Sequence, residues 1–132
     1  MAVKMEIPSD FQAARLAQQR LLGEIAALGY DEAATFAIKL ALEEAVNNAI
    51  RHGNHQDASK KVTLIYDVTE TCVEITIADE GEGFNPADVP DPRADENLEK
   101  PSGRGLMLMR AYMDEVTYNA RGNQIHMIKR HA

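Results

Sequence analysis

The run KVTLIYDVTETCVEITIA occupies residues 61–78 and contains two alternating patterns separated by a short polar break. Apolar side chains stand at every second position of residues 61–68, and again in residues 72–78. A period of two is typical of a strand that rests one face on a core. Because only Thr69-Glu70-Thr71 separates the two patterns, the run predicts a β-hairpin.

A short strand and two helices are predicted before the hairpin. Residues 3–7 alternate and predict an edge strand. Ser9 or Asp10 can cap a helix that Gly29 ends, and its apolar positions fall roughly on one face. Asp31 can cap a second helix that ends near residue 52.

The segment after the hairpin begins with an acidic, proline-containing stretch at about 84–104 that has no apolar period. Loops of this length are functional or disordered. A helix beginning near residue 105 and a second hairpin follow. The order β-α-α-β-β-loop-α-β-β predicts a two-layer α/β (α+β) sandwich, in which helices pack on one face of a mostly antiparallel mixed sheet.

Bulk properties limit the function classes. A chain of 132 residues predicts one domain spanning 1–132. The formal net charge of -7 argues against direct nucleic-acid binding, which depends on neutralising phosphates. A single cysteine, Cys72, excludes an intrachain disulfide, and no signal-like or membrane-spanning run is present. These features favour a soluble protein of the cytoplasm.

Glu44 and Asn48 are four residues apart in the second predicted helix, so they share one face and lie about 6 Å apart along its axis. An Asn carbonyl oxygen is a suitable neutral ligand for Mg²⁺, which takes the rest of its shell from phosphates and water. Glu44 beside it could orient or deprotonate a nucleophile. In isolation this pair would more often be part of a solvated polar face.

Asp79 follows the second strand of the hairpin and leads into Gly81 and Gly83. A carboxylate can accept a hydrogen bond from the amino group of adenine, and glycines leave the backbone uncovered for a base. The alternatives are a simple turn or a Ca²⁺ loop. Pro90 occupies the position at which an EF-hand would need a carboxylate, which disfavours Ca²⁺.

Gly103 and Gly105 precede the third predicted helix. The first N–H groups of a helix lack intrahelical partners and lie at its positive end, where phosphate binds well. Lys100 and Arg104 add positive charge beside them. A flexible hinge followed by an ordinary helix start remains the alternative for these glycines taken alone.

In combination and order, three motifs resemble those of the GHKL (Bergerat-fold) ATPases, and within them the small anti-sigma-factor serine/threonine kinases of bacteria. EAVNNAIRHG at residues 44–53 resembles the N box, DEGEGF at 79–84 the first glycine box, and GRGLMLM at 103–109 the second. MDEV at 113–116 also resembles this subgroup. The resemblance covers nearly the whole chain and implies a histidine-kinase-like ATPase fold.

The resemblance implies a role for each motif. Asp79 would bind the adenine amino group, Gly83 would make room for the base, and Asn48 would bind Mg²⁺. Gly103 and Gly105, with residues 84–104, would form a lid over the phosphates of ATP. Glu44 would be the general base that takes a proton from a serine of a partner protein.

The partners implied are a STAS-domain anti-anti-sigma protein as substrate and a sigma factor that the kinase sequesters, and members are typically homodimers. Pro101 stands where relatives often carry an arginine, so contact with the γ-phosphate would pass to Lys100 or Arg104, or be absent. Gly122-Asn123-Gln124 replaces a Gly-Thr-Thr that often lies against adenine, and Asn123 can still hydrogen-bond a base.

Two alternatives to a serine/threonine kinase remain open from the sequence. One is a non-catalytic, nucleotide-binding partner-switch module. The other is a catalytic ATP-binding domain that acts with a separate two-component partner, although no phosphoacceptor-bearing helix pair precedes the motifs.

Overall fold

The computed structural model describes residues 2–54, 57, 59–81, 109–120 and 122–131, and within these ranges the side chain of His52 is not described. Residues 109–112 are helical. The remaining elements, in chain order, are β1 (Val3–Pro8), α1 (Phe11–Ala27), α2 (Glu32–Asn48), a π-helical turn (Ala49–Gly53), β2 (Lys61–Val68), β3 (Cys72–Ala78), β4 (Glu115–Tyr118) and β5 (Gln124–Arg130).

In the part of the chain that the structure describes, the strands form one five-stranded sheet in the order β1-β2-β3-β5-β4, and every neighbouring pair is antiparallel. The hairpin of β2 and β3 and the edge position of β1 are therefore confirmed. Because β5 inserts between β3 and β4, the end of β3 lies beside the turn that precedes β5. This order brings segments that are distant in the sequence to one end of the sheet.

The hydrophobic core lies between the helices and one face of the sheet. Alternate residues of β2, β3 and β5 join α1 and α2 in a single buried cluster, whose largest members include Leu21, Ile25, Ile38, Leu42, Val46, Leu64, Tyr66, Ile75, Ile77 and Met127. The predicted fold class, an α+β sandwich with its helices on one face of the sheet, is confirmed. Within the described residues, no helix has the length and hydrophobicity that crossing a bilayer requires.

Side-chain caps fix where both long helices begin. The Asp10 carboxylate accepts a hydrogen bond from the Gln12 N–H at 2.8 Å, so Asp10 rather than Ser9 caps α1. The Asp31 carboxylate accepts from the Ala34 N–H at 2.7 Å and caps α2 as predicted. Such caps typically contribute about 1 kcal/mol each.

Tyr66 joins the sheet to α1, because its hydroxyl donates a hydrogen bond to the carboxylate of Glu24. Burial raises the pKa of Tyr66 to about 12, and the hydrogen bond to Glu24 and its charge add to the shift. The folded state therefore disfavours the phenolate. The stability that this tyrosine contributes is fully present below its ordinary pKa of 10.0 and falls as the pH rises from there toward 12.

We expect Tyr66→Phe to flatten the alkaline loss of stability, because phenylalanine has no proton to lose. Urea unfolding between pH 8 and pH 11 would measure this difference. Near pH 8 the variant should be less stable by about 1 kcal/mol through the lost hydrogen bond. Parallel stability curves for the two proteins above pH 10 would contradict the assignment.

Candidate functional site

Glu44 and Asn48 lie on the last turns of α2, as the sequence predicted. Both side chains are half-buried, next to the buried Ala45 and Val46 that pack into the core. The helix is continuous through Asn48, so the carboxylate and the amide project from the same side, one turn apart. They therefore stand at the margin between core and solvent, where a ligand can reach both.

A π-helical turn follows directly after Asn48. The N–H of Asn54 donates to the carbonyl oxygen of Ala49 at 2.8 Å, five residues earlier, which is the hydrogen bond of a π-helix. Ala49 and Ile50 stay buried in the core, while Gly53 lies against the turn after β3. Turns of this kind are rare and occur often at functional sites.

Asp79 directly follows β3, and hydrogen bonds to Asn123 hold its backbone. Its N–H donates to the carbonyl oxygen of Asn123 at 2.9 Å, and the Asn123 side-chain amide donates to the Asp79 carbonyl oxygen at 3.3 Å. The carboxylate then turns back, and its Oδ1 accepts a hydrogen bond from the Gly81 N–H at 2.8 Å. Asp79 is half-buried.

Two glycines allow the π-helical turn and the turn after β3 to touch. A Cβ added at Gly53 would lie 2.6 Å from Asp79 Oδ1 and nearer still to the other atoms of that carboxylate. A Cβ added at Gly81 would lie 2.7 Å from the Gly53 carbonyl carbon and 2.9 Å from Asp79 Oδ1. The end of the first motif and the start of the second therefore form one cradle, with the Asp79 carboxylate against uncovered backbone.

Tyr118, on β4, lies at the Asp79 end of the sheet, because it pairs with Ile125, which in turn pairs with Ile77 on β3. Burial raises the pKa of the Tyr118 phenol well above its ordinary value; the positive charge of Arg110 opposes this shift, and the negative charges of Glu44 and Asp79 add to it. The phenol is therefore influenced by the charges of both motifs. The phenol stays neutral at physiological pH, so it can donate a hydrogen bond there.

Little in the sequence indicates a functional role for these additional residues. Tyr118 follows the alternation of a strand and resembles an ordinary core residue, while Gly53 and Asn54 resemble a helix stop. Their contacts with the site depend on segments far away in the chain. Arg110 brings a positive charge to the site from the helical residues 109–112.

Several predicted site residues lie outside the described residues, namely Gly83, Lys100, Gly103, Arg104 and Gly105, together with Pro101 and the predicted lid at 84–104. Asn123 is described, and its side chain is engaged by protein. Besides donating to Asp79, it accepts a hydrogen bond from the Asn119 amide at 2.8 Å.

The chemistry of the described residues fits a nucleotide with Mg²⁺. No group of three or more His, Cys, Asp or Glu side chains in the described ranges is arranged to hold a metal ion. Mg²⁺ bound chiefly by phosphates and water needs only one or two protein oxygens, and Asn48 offers one. The Asp79 carboxylate is half-buried at the end of β3, and it can accept a hydrogen bond from a base that carries an amino group.

Comparison with known proteins agrees with this arrangement. The family model described as the histidine kinase-like ATPase domain matches residues 7–129. A serine-protein kinase RsbW of Staphylococcus aureus (strain JH9) is 30% identical, over 96% of this chain and 85% of the relative. The protein of the same name from Bacillus subtilis (strain 168) is 29% identical, over 96% of this chain and 84% of the relative.

A solved structure supports the same fold. The crystal structure of the RsbU and RsbW domains of Rv1364c from Mycobacterium tuberculosis is similar, with a TM-score of 0.66 and 18% sequence identity. The match covers 99% of this chain and 32% of that one, so this chain corresponds to about a third of the larger protein.

Proposed function

We propose, from the premise that the chain belongs to the histidine kinase-like ATPase domain family, that Asp79, Asn48 and Glu44 bind Mg-ATP and direct transfer of its γ-phosphoryl group to a protein serine. Within this family the chain is a protein serine/threonine kinase of the anti-sigma-factor type. The observation that carries the proposal is the contact between the π-helical turn and the Asp79 carboxylate, which unites two motifs in one site.

Recognition of adenine would fall to Asp79. A carboxylate has about four acceptor positions, so it can accept from the amino group of adenine as well as from the Gly81 N–H. Guanine offers a carbonyl at the equivalent place, which would repel the carboxylate. The half-buried position of Asp79 at the end of β3 supports this assignment, and Gly83 would make room for the base.

Binding of the phosphates would fall to Asn48 and to the segment before the third helix. Asn48 would supply one oxygen to Mg²⁺, and the ion would neutralise charge on the phosphates. Gly103 and Gly105 would contribute backbone N–H groups, with Lys100 or Arg104 meeting the γ-phosphate.

Glu44 would act as the general base. As the serine oxygen of the partner bonds to the γ-phosphorus, the bond between that phosphorus and the bridging oxygen of ADP breaks. The hydroxyl proton passes to the Glu44 carboxylate. Positioning of the serine and stabilisation of charge on the phosphoryl oxygens would supply most of the rate.

The partners proposed follow the same family. The substrate would be a small STAS-domain anti-anti-sigma protein phosphorylated on serine, and the unphosphorylated STAS protein would compete with a sigma factor for the kinase. The kinase would act as a homodimer in the bacterial cytoplasm, without contacting nucleic acid itself. The relatives named serine-protein kinase RsbW support the kinase activity, and binding experiments would identify these partners.

Glu44→Gln should reduce phosphoserine formation by about 100-fold or more, because general-base catalysis typically contributes 10²–10⁴-fold. Affinity for Mg-ATP should change by less than about threefold, since the amide keeps the shape of the side chain. Single-turnover reactions with Mg-ATP and candidate STAS proteins, followed by mass spectrometry, would measure both steps separately.

Glu43→Gln is the matched control, because Glu43 is half-buried on the same helix and one residue away. It should phosphorylate at nearly the wild-type rate. Nucleotide binding without transfer to any STAS protein would instead favour the non-catalytic partner-switch module, which the proline at position 101 makes the second candidate.

A further inference from the structure

Asn54 is a completely buried polar residue at the end of the π-helical turn, with 0% of its surface exposed. Its amide nitrogen donates to Ser9 Oγ at 2.9 Å and to the Lys61 carbonyl oxygen at 3.1 Å. Its amide oxygen accepts from the N–H of Glu80 at 2.8 Å. One side chain therefore joins the β1–α1 connection, the start of β2 and the turn after β3.

The three hydrogen bonds require an amide. Glu80 presents a donor and Lys61 presents an acceptor, so the side chain needs an oxygen on one side and an NH₂ group on the other. Among side chains of this size, only asparagine offers both. An apolar residue here would remove both the acceptor of the Glu80 N–H and the donor to the Lys61 carbonyl oxygen, which is costly.

The hydrogen bond to Glu80 acts on the residue next to Asp79. Glu80 is held twice, since its N–H donates to Asn54 and its carboxylate accepts from the N–H of Lys61. On the other side, Asp79 is held by its backbone pairing with Asn123. Hydrogen bonds therefore hold the backbone on both sides of the Asp79 carboxylate: Asn123 binds the Asp79 N–H, and Asn54 binds the Glu80 N–H.

We propose that Asn54 is a positioning residue for base recognition: it holds the turn after β3 so that the Asp79 carboxylate meets the amino group of adenine. This inference rests on the proposed nucleotide site. Asn54 is buried, so it acts on the nucleotide through Asp79 and does not touch it. Ser9 completes the network on the far side, because its hydroxyl also donates to the Lys60 carbonyl oxygen at 2.8 Å.

The test compares the preference for ATP over GTP in the wild type, Asn54→Ala and Ser9→Ala, by calorimetric titration with the Mg-nucleotides. Asn54→Ala should weaken Mg-ATP binding about tenfold or more. The ratio of the affinity for Mg-ATP to that for Mg-GTP, called the ATP-over-GTP ratio, should fall by a similar factor. In phosphorylation assays of Asn54→Ala, the KM for Mg-ATP should rise while kcat changes by less than about threefold. Ser9→Ala should keep the wild-type ratio, because it leaves the Asn54–Glu80 bond in place.

Asn54→Asp covers the case in which Asn54→Ala does not fold, because aspartate keeps an acceptor for the Glu80 N–H and loses both donors. Its ATP-over-GTP ratio should stay close to that of the wild type even if its melting temperature drops. A wild-type ratio in folded Asn54→Ala, an equal loss in Ser9→Ala, or a lost ratio in Asn54→Asp would overturn the positioning role. Failure of the wild type to prefer ATP would overturn the adenine assignment itself, which is a distinguishable result.

Discussion

Asp79→Asn is expected to weaken Mg-ATP binding by about 10- to 150-fold, because a hydrogen bond to a charged group contributes about 1.5–3 kcal/mol. The asparagine oxygen can still accept from the Gly81 N–H, so the turn should survive. Its NH₂ group, however, would meet the amino group of adenine with a second donor. The loss should therefore fall on the nucleotide and leave the fold largely unchanged.

Calorimetric titration with Mg-ATP and thermal unfolding without nucleotide would together measure this prediction. Asp67→Asn is a suitable control, because Asp67 pairs with Glu74 toward the opposite end of the β2–β3 ladder from Asp79. The control should bind Mg-ATP as the wild type does. Unchanged affinity in Asp79→Asn would refute the assignment of Asp79 to the base.

Gly53→Ala is expected to have the second large effect, at a position where the sequence indicated only a helix stop. The new methyl group would lie 2.6 Å from Asp79 Oδ1 and closer to the rest of the carboxylate, well inside van der Waals contact. Either the carboxylate or the π-helical turn must move. Overpacking of this kind typically costs about 1–3 kcal/mol of stability, and displacement of Asp79 should lower Mg-ATP affinity about tenfold or more.

Gly23→Ala provides the matched control for this substitution. Gly23 lies inside α1, is exposed, and a Cβ added there would meet nothing within 4 Å. Alanine is the better helix former, so this variant should be more stable by about 0.5–1 kcal/mol and should bind Mg-ATP normally. If Gly53→Ala bound Mg-ATP as tightly as Gly23→Ala does, the close approach at the cradle would have no functional meaning.

The Gly53 and Asn54 variants test different parts of one arrangement. Gly53→Ala pushes directly on the Asp79 carboxylate, whereas Asn54→Ala releases the residue that follows Asp79. Both should reduce the preference for ATP over GTP, and both should leave the Glu44 step intact once nucleotide is bound. A loss of kcat at saturating Mg-ATP in either variant would show that the two motifs are coupled beyond binding.

Features that depend on neighbouring residues were predictable from the sequence. The alternation in residues 61–78 predicted the hairpin because side chains in a strand point to opposite faces in turn. Asp31 predicted the start of α2 because its carboxylate reaches an N–H only three residues away. The spacing of Glu44 and Asn48 likewise predicted a shared helix face, because one helical turn separates them.

Features that depend on distant segments required the tertiary structure. Asn54 meets Ser9 across 45 residues and Glu80 across 26, and nothing in the sequence pattern of either residue indicates a contact with Asn54. Tyr118 lies at the Asp79 end of the sheet because it pairs with Ile125, which in turn pairs with Ile77 on β3. The local periodicity of a sequence predicts which face of a helix or strand a side chain occupies. It does not predict which faces of different elements pack together.

The sequence by itself therefore determined the hairpin, the two capped helices and the chemical identity of the Glu44, Asn48 and Asp79 groups. Only the tertiary structure decided that the π-helical turn packs against the Asp79 carboxylate through Gly53. It also decided that Asn54 binds the N–H of Glu80, the residue after Asp79. The physical reason is that propensity, capping and periodicity act over a few residues. A close approach of two backbones depends on how the whole core packs.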